Sequence, residues 1–172
     1  MQHKAKIAWT IGVFLIGLLG FIGVKSMQVL NQKKVFAQHK NQLPDLSVCF
    51  TKDSLTYRQQ PYNKTIIIFF GSSCDHCQRQ ANAIYKQQKA FINTQIYMVS
   101  TETLANITRF GKHYQLDKLP NVILLQLPKE QLFQIFGSVS VPHIFVYDAQ
   151  QRLSREFKGE TPTDSLINAI NL

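Results

Sequence analysis

The chain has 172 residues, 45% of them hydrophobic, and a formal net charge of +9, which suits one folded domain with appendages. The charge is unevenly placed: residues 1–40 hold six lysines and no acid, whereas the remainder holds 13 basic and 10 acidic residues. Basicity gathered around an apolar segment points to a membrane surface and away from nucleic acid.

Residues 1–6 form a short basic tail with Lys4 and Lys6. Ile7 to Val24 follow without a charge, and Thr10 is the only hydroxyl among them. At the helical rise this run spans about 27 Å, close to the hydrocarbon thickness of a bilayer. Trp9 lies near one end, where amphipathic rings favour the interface. The run exceeds the apolar region of a cleaved signal peptide, and Gly23-Val24-Lys25 and Lys25-Ser26-Met27 are poor cleavage sites. The expectation is therefore an uncleaved single-pass anchor over 7–24. Lysines flank it on both sides; a short basic N-terminus tends to stay inside, and long domains translocate largely regardless of charge. Counted literally, the lysines lean toward a cytoplasmic C-terminal domain, so charge alone leaves the orientation open; the expectation is an anchor in the inner (cytoplasmic) membrane with the following domain facing the periplasm or exterior. Residues 25–43 read as a polar stalk, and Pro44 opens a domain running from 44 to 172.

Leu46 to Phe50 and Leu55 to Arg58 predict a hairpin around Thr51-Lys52-Asp53-Ser54. Lys64 to Phe70 reads as a central strand, apolar on both faces. Cys77, Ala81, Ile84 and Phe91 recur at helical spacing and predict a helix to about residue 91. A buried strand at 96–99, a helix at 102–114, a short strand at 122–125 and a short helix at 129–136 follow. His143 to Tyr147 is a strand, 148–151 a turn, and 152–158 its hairpin partner. Thr161-Pro162-Thr163-Asp164 starts a last helix that runs to Asn171. The order predicts an α/β fold with a central mixed β-sheet flanked by helices.

The chemistry sits at Cys74-Asp75-His76-Cys77, directly after the apolar strand. Two cysteines with two residues between them, at a strand end and helix start, can make and break a disulfide. Unpaired N–H groups at the helix N-terminus favour the thiolate of the first, the nucleophile of disulfide exchange. Cys77, one helical turn further in, is placed to resolve the mixed disulfide. His76 can bring positive charge to Cys74, which makes the couple more oxidising; its plainer reading is a solvated helix residue. Asp75 opposes it with negative charge. No resident cofactor and no metal are expected beyond the Cys74–Cys77 disulfide itself.

From Pro44 to Leu172 the chain resembles the thioredoxin-fold, membrane-anchored TlpA/ResA-like thiol–disulfide oxidoreductases. Three features carry the resemblance: the strand–Cys-x-x-Cys–helix unit, Val141-Pro142 just ahead of the strand 143–147, and the terminal hairpin and helix. The N-terminal hairpin points to this subgroup. The resemblance implies that Pro142 is cis and lies against the disulfide, and that the backbone of Val141 pairs with the substrate chain. Asp75 is assigned with Val141 to the substrate-facing side. Protein thiols and disulfides are the implied substrates, with a redox partner protein that recycles the pair. Reductases, oxidases and isomerases share these residues, so the direction of electron flow stays open.

Two positions depart from the pattern. Ser73 stands where many relatives have Trp, and Ile68 stands where thioredoxin has a buried acid that accepts the resolving cysteine's proton. Glu102 is a candidate stand-in. Cys49 reads as a small buried hydrophobe, with a regulatory disulfide as the alternative. His113 reads as a surface residue. His143 is either at the rim of the site or structural. A thiol peroxidase would need Pro at 67 and Ser or Thr at 71, where the chain has Ile67 and Gly71. A copper or zinc carrier could use Cys74, Cys77 and His143, although no second Cys-x-x-Cys exists. A non-catalytic binding module would not need an intact cysteine pair beside Val141-Pro142.

Overall fold

The structure is a computed structural model, and it describes residues 17–18, 20–28, 40–44, 46 and 62–171. The chain divides into two compact units, residues 1–37 and 38–172. In the first, residues 17–18 and 20–28 are helical, and Leu18, Phe21, Ile22, Val24 and Met27 are exposed. Among the described residues no helix is long and apolar enough to cross a membrane. Much of the expected anchor, and nearly all of the expected hairpin at 46–58 with Cys49, lie outside the described residues.

The second unit is built on five strands: β1 Lys64–Phe69, β2 Thr94–Ser100, β3 Val122–Gln126, β4 His143–Tyr147 and β5 Leu153–Lys158. Their order across the sheet is β3-β2-β1-β4-β5. β1, β2 and β3 run parallel, while β4 is antiparallel to β1 and β5 antiparallel to β4. The helices are α1 Asp75–Lys86, α2 Leu104–His113, α3 Lys129–Phe136 and α4 Thr163–Ile170. This is the α/β mixed sheet that the residue pattern predicts, in the thioredoxin-like arrangement that the resemblance implies.

The unbroken apolar run of β1 follows from its central place. Alternate residues of a strand point to opposite faces, and both faces of this one are covered. Ile66, Ile68 and Phe70 pack with Cys77, Ala81 and Ile84 of α1, Ile107 and Phe110 of α2, and Leu166 and Ala169 of α4. Ile67 and Phe69 pack on the other side with Leu132 and Phe136 of α3 and with Phe145 and Tyr147. Ile68 is fully buried; cutting such a side chain back to Ala costs about 2–5 kcal/mol.

Most element ends fall within one or two residues of the sequence reading, and two differences have a visible cause. The helix expected to reach residue 91 ends at Lys86, and Gln88–Phe91 form a 3-10 turn. The buried Asn121 side chain explains the change, because its amide donates to Phe91 O at 2.7 Å and Thr94 O at 2.8 Å and draws that segment onto the sheet. The last helix begins at Thr163, with Pro162 in the capping position. The Thr161 N–H is already committed to Gln80 Oε1 at 2.8 Å. At the other end of the domain, Lys40 and Leu43, read from sequence as stalk, are tied to it. Leu43 N donates to Gln151 O at 2.7 Å, and Lys40 Nζ lies 2.7 Å from Glu156 Oε2.

Candidate active site

Strand register assembles the site. β1 pairs with β2 so that Lys64 faces Thr94 and Phe69 faces Val99, a constant offset of thirty residues. Carried past the strand ends, that offset sets Ser72 beside Glu102. The Glu102 carboxylate accepts from Ser72 N at 2.7 Å and from Ser72 Oγ at 2.6 Å. β1 also pairs antiparallel with β4, with Phe69 opposite His143, which brings Gly71 to Val141. A Cβ at Gly71 would stand 3.6 Å from Glu102 Oε1, 3.7 Å from Val141 Cγ2 and 3.8 Å from Cys74 Cβ. The loop 71–73 is therefore enclosed by Glu102 on one side and Val141 on the other.

Cys74 caps α1. Its sulfur accepts from Cys77 N at 3.3 Å, and its thiol points to Val141 O at 3.8 Å. Val141 is 44% exposed and its bond to Pro142 is cis. The sulfur thus lies between a helix N–H and the backbone of the residue ahead of Pro142, at a half-buried position. Cys77 is 1% exposed and packs in the core with Ile68. Burial, and then its hydrogen bond to Cys74, push the Cys77 thiol up to about 12 from 9.0. One cysteine is accessible and the other is a buried thiol that holds its proton, the division of labour that attack and resolution require.

The remaining predicted residues separate. His76 is 63% exposed and directed at Glu160, with Nδ1 2.8 Å from Oε2. Arg79 Nε donates to both Glu160 oxygens at 3.1 and 2.9 Å, and its Nη2 lies 2.7 Å from the same His76 nitrogen. A protonated Nδ1 gives its hydrogen to Glu160, whereas an unprotonated one accepts from Arg79. Arg79 and then His76 hold the Glu160 carboxyl below the usual range. Glu160 in turn raises Arg79, with smaller contributions from Asp75 and Cys74. Arg79 is thus a charge that Cys74 feels, beside the His76 and Asp75 that the sequence singles out. Asp75 is exposed beside it.

The segment bearing Glu160 ties Pro142 to α1. Gly159 N donates to Pro142 O at 2.8 Å, and Thr161 N to Gln80. Gly159 holds φ +96°, a conformation that favours glycine. His143 belongs elsewhere. It is buried, stacks on Phe145 with 4.5 Å between centroids, and lies 2.9 Å from Glu156 Oε1. Phe145 faces the side of the sheet away from α1, so His143 is structural. Among the described residues no three His, Cys, Asp or Glu side chains gather as a metal site.

A thioredoxin-like sheet with a cysteine pair capping the helix after its central strand defines a class of dithiol proteins. The chain belongs to the AhpC/TSA family, whose model matches residues 40–155. It is similar to the thioredoxin-like protein YneN of Bacillus subtilis (strain 168), 29% identical over 84 residues, 48% of this chain and 49% of that protein. The match therefore spans about half the length of that relative. Among solved structures, MTB dsbF in its mixed oxidised and reduced forms superposes with a TM-score of 0.55 at 15% identity, over 63% of this chain and 78% of that one. StoA from Bacillus subtilis gives 0.52 at 16% identity, over 64% and 84%. At that identity the likeness is one of fold.

Proposed function

We propose that this chain is a membrane-anchored thiol–disulfide oxidoreductase of the TlpA/ResA-like kind, exchanging electrons with protein thiols and disulfides through Cys74 and Cys77. The observation that carries the reading is the position of the Cys74 sulfur, between the Cys77 N–H and the Val141 carbonyl, with Cys77 buried one turn behind it. The Cys74 thiolate attacks a substrate disulfide, forms a mixed disulfide and expels the first substrate thiolate. Cys77 then gives its proton to solvent and attacks the Cys74 sulfur, releasing the second substrate thiolate. Two electrons pass from the pair to the substrate, and the reverse sequence oxidises a substrate dithiol. The partly exposed backbone of Val141 can pair with the substrate strand, and Pro142 stands beside the pair. Asp75 lies at the exposed start of α1, on the side a substrate approaches.

His76 acts through the Glu160–Arg79 cluster. Glu102 positions the loop ahead of Cys74, since both its oxygens are engaged by Ser72. The pair needs no resident cofactor, and a redox partner protein recycles it. Exposed apolar residues among the helical residues 17–18 and 20–28, with the charge-free run 7–24, support a membrane anchor, which we set in the cytoplasmic membrane with the domain facing the periplasm or exterior.

Insulin-disulfide exchange by the full-length chain tests the chemistry. Wild type is expected to catalyse it and Cys74→Ser to lose it; equal activity in the two proteins would sink the proposal. A membrane-impermeant alkylating reagent applied to whole cells should label Cys74, and protection until lysis would contradict the orientation.

A further inference from the structure

Next to the cysteine pair, loop 71–73 and helix α2 enclose a cleft of about 400 Å³ whose lining includes Ser72, Ser73, Gln78, Arg109, Phe110 and Tyr114. Its floor is aromatic: the Phe110 and Tyr114 rings lie 4.7 Å apart, and Phe110 rests on Phe70 at 4.5 Å. Its lining includes Arg109 and His113 and no acid. α2 carries Arg109, Lys112 and His113 and no acid along its ten residues.

The neighbouring acids, Glu102 and Asp75, lie outside this lining. Both oxygens of Glu102, behind Ser72, accept from that residue. Asp75 lines the adjoining hollow with Gln78, Arg79 and Tyr114, and its charge acts on Arg79. Gln78 is held by its bond to Ser72 O at 3.0 Å. Arg109, the Asn106 amide and the Ser73 hydroxyl have no hydrogen-bond or ion-pair partner among the described residues. An unpaired guanidinium, a free amide and a free hydroxyl therefore border an aromatic-floored recess that begins one residue before the reactive cysteine.

We propose that this cleft is a substrate subsite that takes a carboxylate side chain lying near the substrate's cysteine, with Arg109 as the recognising cation. The inference rests on the dithiol reading above and gives its substrates a class: acidic protein segments flanking a thiol or disulfide. Guanidinium is suited to the role because its planar donors match a carboxylate bidentately. Asn106 and Ser73 supply further donors, and Phe110 and Tyr114 accommodate the aliphatic stem of Asp or Glu.

The test uses the full-length chain and three fluorogenic peptide disulfides that differ only in carrying Asp, Asn or Lys two residues from the cysteine. Wild type should show kcat/KM for the Asp peptide about threefold or more above that for the Lys peptide at low salt, a ratio that falls toward one as salt rises. Arg109→Gln should remove the preference and Arg109→Glu should reverse it, while Lys89→Gln, which removes a cation from another face, should keep it. Melting temperatures report whether each variant is folded, and the salt series on wild type stands without any variant. Equal rates for the Asp and Lys peptides in wild type, or an intact preference in folded Arg109→Glu, would overturn the inference with the oxidoreductase reading still standing. Absence of exchange with all three peptides would remove that reading, and the inference with it.

Discussion

Ahead of Cys74, the backbone of 71–73 is held by contacts with little freedom: a carboxylate bonded to both the N–H and the hydroxyl of Ser72, Val141 packed against Gly71, and a buried strand beneath. Behind Cys74, the outer surface of α1 is held by ion pairs among exposed side chains, His76, Arg79 and Glu160. Charge-assisted bonds to a backbone in a partly dry place fix position. Exposed ion pairs are screened and contribute little to stability, yet they set the potential around the sulfur. The first region determines where the thiol is, and the second adjusts how readily it gives up electrons. Substitutions in the two should therefore have different signatures.

The largest effect belongs to the strand beneath the loop. Ile68→Ala should lower unfolding free energy by about 2–5 kcal/mol in urea titrations, and a loss below about 1 kcal/mol would contradict the packing described. Next is the buried thiol. Because its folded value is raised, Cys77 stabilises the reduced fold fully below about pH 9, and this contribution is lost as pH rises toward about 12. Urea titrations of reduced protein between pH 8 and 11 should show a loss steeper in wild type than in Cys77→Ala, by up to about 1.4 kcal/mol per pH unit. Parallel curves would remove the basis for calling Cys77 the protonated partner.

Glu102→Ala should cost about 1–3 kcal/mol and slow exchange about tenfold by loosening loop 71–73, whereas Glu102→Gln, which retains one acceptor, should recover part of both. Normal exchange in Glu102→Ala would show that the loop needs no clamp. The smallest effect is in the outer cluster. Glu160→Gln releases Arg79 and His76 to act on Cys74, so the reduction potential should become more oxidising by on the order of 10 mV with melting temperature nearly unchanged. A shift in the opposite direction would reverse the role assigned to Glu160.

How much of this was legible follows from the range of each signal. The strand expected over Lys64 to Phe70, which ends one residue earlier at Phe69, the cysteine pair after it and the strand His143 to Tyr147 are local patterns that the structure retains. The Ser72–Glu102 clamp is not local. It appears only when β1 and β2 are aligned at their thirty-residue offset, after which Glu102 reads as a loop anchor and no longer as a free proton acceptor. Glu160 was equally hidden, because it reaches α1 only when Gly159 is bonded to Pro142. Arg109 and His113 look like ordinary surface residues until α2 is laid beside loop 71–73. His143, adjacent in sequence to Pro142, turned out to face the other side of the sheet, as strand alternation requires.

The central claim is that Cys74 attacks and Cys77 resolves, and mass spectrometry of a trapped intermediate addresses it most directly. Full-length Cys77→Ser, incubated with a peptide disulfide and digested, should carry close to one peptide per chain, disulfide-linked at Cys74, and wild type should carry almost none. Adducts located at Cys49, or none in Cys77→Ser under conditions where wild type exchanges, would contradict the account.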